Sequence, residues 1–142
     1  MLRENMFKQA DYLMVTVSNM DRSLRFYRDI LGLTVKFESK EWSEFITGPT
    51  TIALHGGGKT VEASSATRET VAGTCSIGFN VTNLDLTFKE LQTRGAHFVM
   101  PPTHREGEGI KLAVCVDPDG LPISFAEEVK REDRPLTQSQ TD

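Results

Sequence analysis

The sequence predicts an α+β fold built from two βαβββ modules that are related by a pseudo-twofold axis. The main observation is an internal repeat: residues 17–21 (Val-Ser-Asn-Met-Asp) return 64 positions later as residues 81–85 (Val-Thr-Asn-Leu-Asp). A strand-like run precedes each copy, and three candidate strands follow each copy. We therefore expect a curved, cup-like mixed sheet with the helices on its convex face.

The opening strand of each module is predicted over residues 11–17 and 75–81, where apolar and polar residues alternate. The second run has an apolar face, formed by Cys75, Ile77, Phe79 and Val81. Its other face is small and polar and consists of Ser76, Gly78 and Asn80. We expect the apolar side to pack on a helix and the polar side to line a cleft. The equivalent cleft positions of the first run are Tyr12, Met14 and Thr16.

A helix follows each opening strand. Asn19 and Asn83 are predicted to cap the first free helix amides, and Gly32 and Gly95 are predicted to end the helices. Apolar residues recur at helical spacing after each cap, which predicts equivalent buried faces. These residues are Met20, Leu24, Tyr27 and Leu31 in the first copy and Leu84, Phe88 and Leu91 in the second.

The remaining strands are predicted over residues 33–38, 42–47 and 51–55, and over residues 96–100, 110–116 and 121–127. The turn-rich tetrads 47–50 (Thr-Gly-Pro-Thr) and 117–120 (Asp-Pro-Asp-Gly) predict antiparallel hairpins. Together these elements predict a single domain. It consists of module one (about 8–55), a mobile linker (56–73), module two (74–128) and a polar tail (129–142).

Composition excludes several functional classes. A net charge of −4 disfavours nucleic acid as a partner. No run approaches the roughly 18 apolar residues of a membrane span, and residues 1–10 lack the apolar core of a signal peptide. A cytoplasmic location follows by default. Cys75 and Cys115 lie in apolar runs, which predicts two reduced thiols in the core.

The motifs at residues 17–33 and 117–120 resemble those of the vicinal oxygen chelate superfamily. This superfamily includes glyoxalase I, methylmalonyl-CoA epimerase, extradiol dioxygenases and bleomycin-resistance proteins. The resemblance implies a divalent metal held by His and Glu at four strand positions. In this chain those positions are Tyr12, Ala53, Ser76 and Ser124. Because none of them supplies an imidazole or a carboxylate, we expect no metal, no cofactor and no metal-dependent catalysis.

Several residues are candidates for ligand contact in the cleft. His55 shares a strand face with Ala53, so it either meets a ligand or is solvated at the strand end. Trp42 and Glu44 alternate on one face and offer a stacking surface and a cation partner, although packing at a sheet edge is the alternative. The remaining candidates of the predicted cleft are Tyr12, Met14, Ser76, Asn80 and Ser124.

Other motifs are weaker. A loop over residues 101–109, which contains His104 and follows His97, either covers the cup or is solvated. The run Gly58-Lys59-Thr60 resembles the end of a phosphate-binding loop, but the first glycine of that motif is replaced by Ala53. The sequence contains no nucleophile elbow of the Gly-x-Ser-x-Gly type.

Two functional hypotheses remain, with catalytic residues unassigned. The first is a homodimer that binds a small organic molecule in a metal-free cleft, as the resemblance to bleomycin-resistance proteins implies. The alternative is a lyase, isomerase or dioxygenase of the glyoxalase type that uses atypical metal ligands or acid–base chemistry. A scaffold with a vestigial cleft is a third possibility.

Overall fold

The chain forms two compact units in the computed structural model, which describes residues 6–60 and 72–129. The units are Met1–Ala66 and Thr67–Asp142. Each contains one βαβββ module with a four-stranded mixed sheet, so the predicted α+β two-module class is confirmed. Within the described ranges, none of the helices has the length and apolar character needed to cross a membrane.

The first unit follows the predicted element order. Strand β1 (Tyr12–Thr16) leads into helix α1 (Met20–Leu24), which continues as a π-helical segment (Arg25–Ile30). Three strands follow: β2 (Thr34–Phe37), β3 (Trp42–Thr47) and β4 (Thr50–His55). The strand order is β1-β4-β3-β2. Only the β1–β4 pair of this sheet is parallel. The α1 crossover leads from β1 to β2, and two antiparallel hairpins then bring β4 back beside β1 in the same direction.

The second unit repeats this topology. Strand β5 (Ile77–Asn80) precedes helix α2 (Leu84–Thr93) and strand β6 (His97–Arg105). A 3-10 turn (Glu106–Glu108) then leads to strands β7 (Ile110–Val116) and β8 (Pro122–Glu128). The order is β5-β8-β7-β6, with β5 parallel to β8. Sequence repetition therefore reproduces both the order and the direction of the strands.

Asparagine caps begin both helices, as predicted. The Asn19 Oδ1 atom accepts a hydrogen bond from the Arg22 amide at 2.9 Å. The Asn83 Oδ1 atom accepts one from the Leu86 amide at 3.0 Å. Each bond satisfies an amide that has no partner within the first helical turn.

The first helix widens after one turn, which the apolar spacing did not predict. The Leu31 amide donates to the Phe26 carbonyl at 2.9 Å, a five-residue step. Phe26 and Tyr27 are both buried, and their ring centroids lie 4.9 Å apart. In a regular helix consecutive residues point about 100° apart, whereas the wider turn lets these two adjacent rings enter the same core.

Each sheet packs one face against its own helix. In the first unit the Tyr27 ring lies 5.9 Å from the Phe45 ring, between the helix and β3. The buried side of the first unit contains Val17, Met20, Leu24, Tyr27, Phe45, Ile52 and Leu54. The buried side of the second contains Ile77, Leu84, Leu91, Ala113, Cys115, Ile123 and Phe125. We call the opposite side of each sheet its open face.

Both predicted hairpin turns are present. Gly48 has a φ of 88° and Gly120 a φ of 91°, values that favour glycine. In the second turn, Asp117 is buried, and its Oδ1 atom accepts hydrogen bonds from the Asp119 and Leu121 amides at 2.9 and 2.8 Å. A side chain that satisfies two turn amides fixes the β7–β8 register.

The prediction that both cysteines lie in the core is wrong for Cys75, which is exposed, whereas Cys115 is buried. Strand β5 begins only at Ile77, so Cys75 and Ser76 precede it. The β5–β8 register would place Ser76 beside Pro122. Because proline has no amide hydrogen, the ladder begins one residue later and the preceding segment is left outside the sheet.

The prediction of a loop over residues 101–109 is wrong for residues 101–105, because β6 continues through two prolines to Arg105. Two register shifts in the β6–β7 ladder, between Phe98 and Met100 and between Met100 and Thr103, accommodate them. Proline is tolerated here because β6 is an edge strand. His97 and His104 therefore lie at opposite ends of one strand, opposite Val116 and Lys111.

The start of the predicted linker is packed against the first unit. The Gly56 amide donates to the Glu41 carbonyl at 2.9 Å, and the Gly58 amide donates to the Val17 carbonyl at 3.0 Å. A Cβ atom at Gly58 would lie 2.6 Å from a Thr16 methyl group, so close approach explains this glycine. Most of the linker (61–71) and the tail from 130 lie outside the described residues.

Candidate functional site

Five predicted binding residues lie on the open face of the first sheet. Trp42 is the register partner of His55, and Glu44 is the partner of Ala53. On the other side of β4, Met14 is also paired with Ala53. Residues paired in register point to the same side of a sheet, so one face carries the whole set. Its members among the predicted residues are Tyr12, Met14, Trp42, Glu44 and His55.

Three rings form a cluster on this face. The Trp42 and Tyr12 ring centroids lie 6.4 Å apart, with the planes 70° from each other. The Trp42 and His55 centroids lie 6.1 Å apart at 76°. Both contacts are edge-to-face, so the positive edge of one ring meets the negative face of the other. Tyr12 is 58% exposed, so the cluster is open to a molecule approaching the sheet.

Glu44 fixes the orientation of the indole. Its Oε2 atom accepts a hydrogen bond from Trp42 Nε1 at 2.7 Å. Its Oε1 atom lies 3.8 Å from the Lys36 ammonium nitrogen. The Glu44 side chain is only 27% exposed, so this charge-assisted bond is partly protected from water.

The turn before β3 fixes the backbone of Trp42. The Ser39 hydroxyl donates to the Trp42 carbonyl at 2.8 Å and accepts from the Trp42 amide at 3.0 Å. The Ser43 hydroxyl, which is buried, donates to the Ser39 carbonyl at 3.1 Å. Short hydroxyl side chains that bond nearby backbone groups stabilise tight turns. Trp42 is thus fixed both at its backbone and at its ring nitrogen.

The other three predicted residues lie in the second unit. Ser76 is exposed and precedes β5, and Asn80 is exposed at the end of β5. Ser124 is half-buried on β8, where its hydroxyl donates to the Ile77 carbonyl at 3.4 Å. Because Asn80 is paired with Ala126 and Gly78 with Ser124, Asn80 and Ser124 share the open face of the second sheet.

The donor set does not fit the divalent metal that the family resemblance implies. Ala53 is fully buried and offers only a methyl group. Ser76 lies outside β5, and Tyr12 and Ser124 supply neutral hydroxyl groups, which are weak ligands. Over residues 6–60 and 72–129, no three His, Cys, Asp or Glu side chains form a group that could hold a metal ion.

Two further residues of this face, Lys36 and Phe37, are not predicted by the sequence pattern. Lys36 lies beside Glu44, and Phe37, which is 53% exposed, is the register partner of Glu44. The β2–β3 register shifts between Val35 and Phe37. Strict alternation would assign Phe37 to the helix side, but the bulge turns it to the open face. Nothing in the sequence marks this bulge.

Comparison with solved structures identifies the same fold elsewhere. A glyoxalase/dioxygenase from Nostoc punctiforme is 18% identical, with a TM-score of 0.76, and the match covers 92% of this chain and 97% of that chain. Virulence protein STM3117 from Salmonella typhimurium is 25% identical, with a TM-score of 0.67, and the match covers 88% and 100% of the two chains.

A third similar structure is a superfamily member from Sphaerobacter thermophilus, at 20% identity and a TM-score of 0.66, with 87% and 100% coverage. No curated protein is a significant sequence match. Residues 9–125 match the family model described as Glyoxalase/Bleomycin resistance protein/Dioxygenase superfamily. This match spans both modules and both motifs, and the chain therefore belongs to that superfamily.

Proposed function

We propose that this chain binds a small organic molecule, without a metal ion, on the open face of its first sheet. The observation that carries the proposal is the Trp42 indole, which contacts two other rings and whose nitrogen is held by Glu44. Aromatic side chains on an exposed sheet face offer a large contact area for a planar molecule. Met14, 49% exposed beside them, adds an adaptable apolar surface.

Preorganisation supports this proposal. Hydrogen bonds with Glu44 and Ser39, both residues of the same chain, fix the Trp42 side chain and backbone. A ligand that stacks on a fixed ring does not have to immobilise that side chain on binding, and affinity rises accordingly. The neighbouring carboxylate adds a preference for positive charge.

The alternative is an enzyme of the glyoxalase type with atypical metal ligands. It is less well supported, because few side chains on this face could bind a metal ion. On the first open face, His55 and Glu44 supply imidazole and carboxylate donors, but Glu44 already accepts the indole hydrogen bond. Elemental analysis of protein purified without chelators distinguishes the two functions. Near-stoichiometric Zn, Ni, Mn or Fe would favour the enzyme.

We also propose that the chain acts as a single-domain homodimer in the cytoplasm. Members of this superfamily are often dimeric and bind small molecules. Size-exclusion chromatography with light scattering measures the mass directly against the 15.8 kDa of one chain. A single-chain mass at all concentrations would contradict the dimer without affecting the binding proposal.

The binding proposal is tested with two planar probes, 9-aminoacridine, a cation at pH 8, and acridine, which is neutral there. Isothermal titration calorimetry gives the affinities. Because Trp42 is the sole tryptophan of the chain, a proton–nitrogen NMR spectrum of the protein contains one indole signal. We expect that signal to move on titration. Absence of binding by both probes, in calorimetry and in a broader thermal-shift screen, would overturn the proposal.

A further inference from the structure

Lys36 places an ammonium group beside the carboxylate of the proposed site. One Glu44 oxygen accepts the Trp42 indole hydrogen bond at 2.7 Å, and the other faces Lys36 Nζ at 3.8 Å. The carboxylate therefore has one oxygen committed to the indole and one directed at a positive group. That positive group therefore lies beside the carboxylate that holds the indole of the ring cluster.

We propose that Lys36 occupies the cation position of this site, and that the ligand is a planar organic cation whose positive group displaces Lys36 from Glu44. The inference rests on the function proposed above and adds the charge of the ligand and the residue that competes with it. Lys36 is thus a specificity-determining residue.

The contact between Lys36 and Glu44 has the properties of a displaceable pair. At 3.8 Å the two atoms are too far apart for a direct hydrogen bond. The Lys36 side chain is 55% exposed, and exposed ion pairs contribute little to stability. An ammonium on a flexible stem regains hydration and rotamer freedom when it moves into solvent. An incoming cation therefore displaces Lys36 at low cost.

The Glu44 side chain lies in a less hydrated position than that of Lys36. Its side chain is 27% exposed, so it gains more from a well-placed cation than a fully solvated carboxylate would. A cation attached to an aromatic plane also meets the negative ring faces of Tyr12 and Trp42. His55 lies on the same face, next to Trp42, and makes the face less attractive to cations when it is protonated.

The test compares Lys36→Gln with Lys89→Gln, a matched change of charge on the exposed surface of α2 in the second unit. Removing the competitor is expected to tighten 9-aminoacridine binding about three- to fivefold and to leave acridine binding unchanged. Lys89→Gln is expected to leave both affinities unchanged. Calorimetry at pH 8 and fixed low salt measures the affinity of both probes for the wild-type protein and for each variant.

Glu44→Gln provides a second, independent arm, since an amide oxygen still accepts the indole hydrogen bond but carries no charge. We expect this variant to lose the preference for 9-aminoacridine over acridine. When Lys36→Gln is added to the Glu44→Gln variant, we expect no further change in the affinity for 9-aminoacridine, because Lys36 acts through the Glu44 carboxylate.

The inference is overturned if Lys36→Gln leaves 9-aminoacridine affinity unchanged, if it tightens both probes equally, or if Lys89→Gln has the same effect. Each of these outcomes leaves the binding function itself standing, because the wild-type protein still binds a planar probe. Failure of the wild-type protein to bind either probe overturns the function and the inference together. Circular dichroism of the variants confirms that they are folded.

Discussion

The open faces of the two sheets differ sharply although the strands beneath them follow the same order. In the first sheet, Trp42 is paired with His55 across β3 and β4. The corresponding pair of the second sheet, across β7 and β8, is Leu112 and Ala126. Where the first sheet has the pair Glu44 and Ala53, the second has Val114 and Ser124. At these four positions the first face carries two rings, a carboxylate and a methyl group, whereas the second carries three aliphatic side chains and a hydroxyl.

The helix sides of the two sheets are more alike. Leu54 and Phe125 occupy equivalent positions, each beside a parallel partner on the opening strand of its module, Val15 and Phe79. Both are buried. Each module must bury an apolar face to fold, whereas its open face is free to vary. The repeat therefore preserves the scaffold, whereas the residues that could carry chemistry lie where the two copies differ.

The largest effect is expected on the shared side. Leu54→Ala should lower the free energy of unfolding by about 2–5 kcal/mol and Phe125→Ala by about 3–5 kcal/mol, because each leaves a cavity in a packed core. Ile46→Ala, on the first open face and 47% exposed, should cost less than about 1 kcal/mol. Urea denaturation measures all three. A small loss for either buried residue would break the equivalence of the two cores.

The two cysteines provide a check on the faces of β7. Burial, together with the nearby charge of Asp117, raises the pKa of Cys115 from its ordinary value of 9.0 to about 12. At pH 8 its thiolate fraction falls roughly thousandfold, so only the exposed Cys75 should react with a thiol reagent in the native protein. In denaturant both should react.

The same pKa shift predicts a dependence of stability on pH. Between about 9 and 12 the native state keeps the Cys115 proton while the unfolded state loses it. The free energy of unfolding attributable to this group therefore falls as pH rises.

The thiol-labelling experiment has an outcome that would contradict these assignments. Rapid labelling of both thiols in the native protein would contradict the assignment of Cys115 to the helix side and of Val114 and Val116 to the open face.

Substitution on the open faces tests where binding occurs. Trp42→Ala should weaken 9-aminoacridine binding about tenfold or more, because it removes the stacking ring. Leu112→Ala, at the equivalent position of the second sheet, should leave that affinity unchanged. Calorimetric titration measures both. Equal losses in the two variants would mean that the contrast between the faces does not determine binding.

The smallest expected effects concern the helix caps. Asn19→Ala and Asn83→Ala should each cost about 1 kcal/mol of stability, since each leaves one helix amide without its acceptor. The second helix has an additional bond, from the Leu84 amide to Glu127 Oε1 at 2.7 Å. Thermal unfolding of the two variants compares them, and equivalent modules should lose similar amounts.

Much of the fold could be predicted because its signals are local. The Asn-x-Asp repeat, the alternation in residues 11–17 and the turn at 117–120 each depend on neighbouring residues only. Alternation likewise assigned Trp42 and Glu44 to one side of β3, where the structure places both. Side-chain direction along a strand has a period of two, so it can be predicted without knowing the partner strands.

The remaining features depend on pairing between distant segments. The bulge at Lys36, the extension of β6 through Pro101 and Pro102, and the exposure of Cys75 all follow from the strand that lies alongside. A single strand does not reveal whether its neighbour offers an amide, a proline or solvent. Predictions based on periodicity fail at such places, because register is a property of two strands together.

The sequence by itself determined that this chain has two βαβββ modules and that the four positions of the expected metal ligands lack imidazole and carboxylate groups. Only the tertiary structure brought Tyr12, Trp42 and His55, from three different strands, into one ring cluster and placed Lys36 against Glu44. The physical reason is that module type is specified by local periodicity and caps, whereas a site requires side chains from several strands to share one face in register.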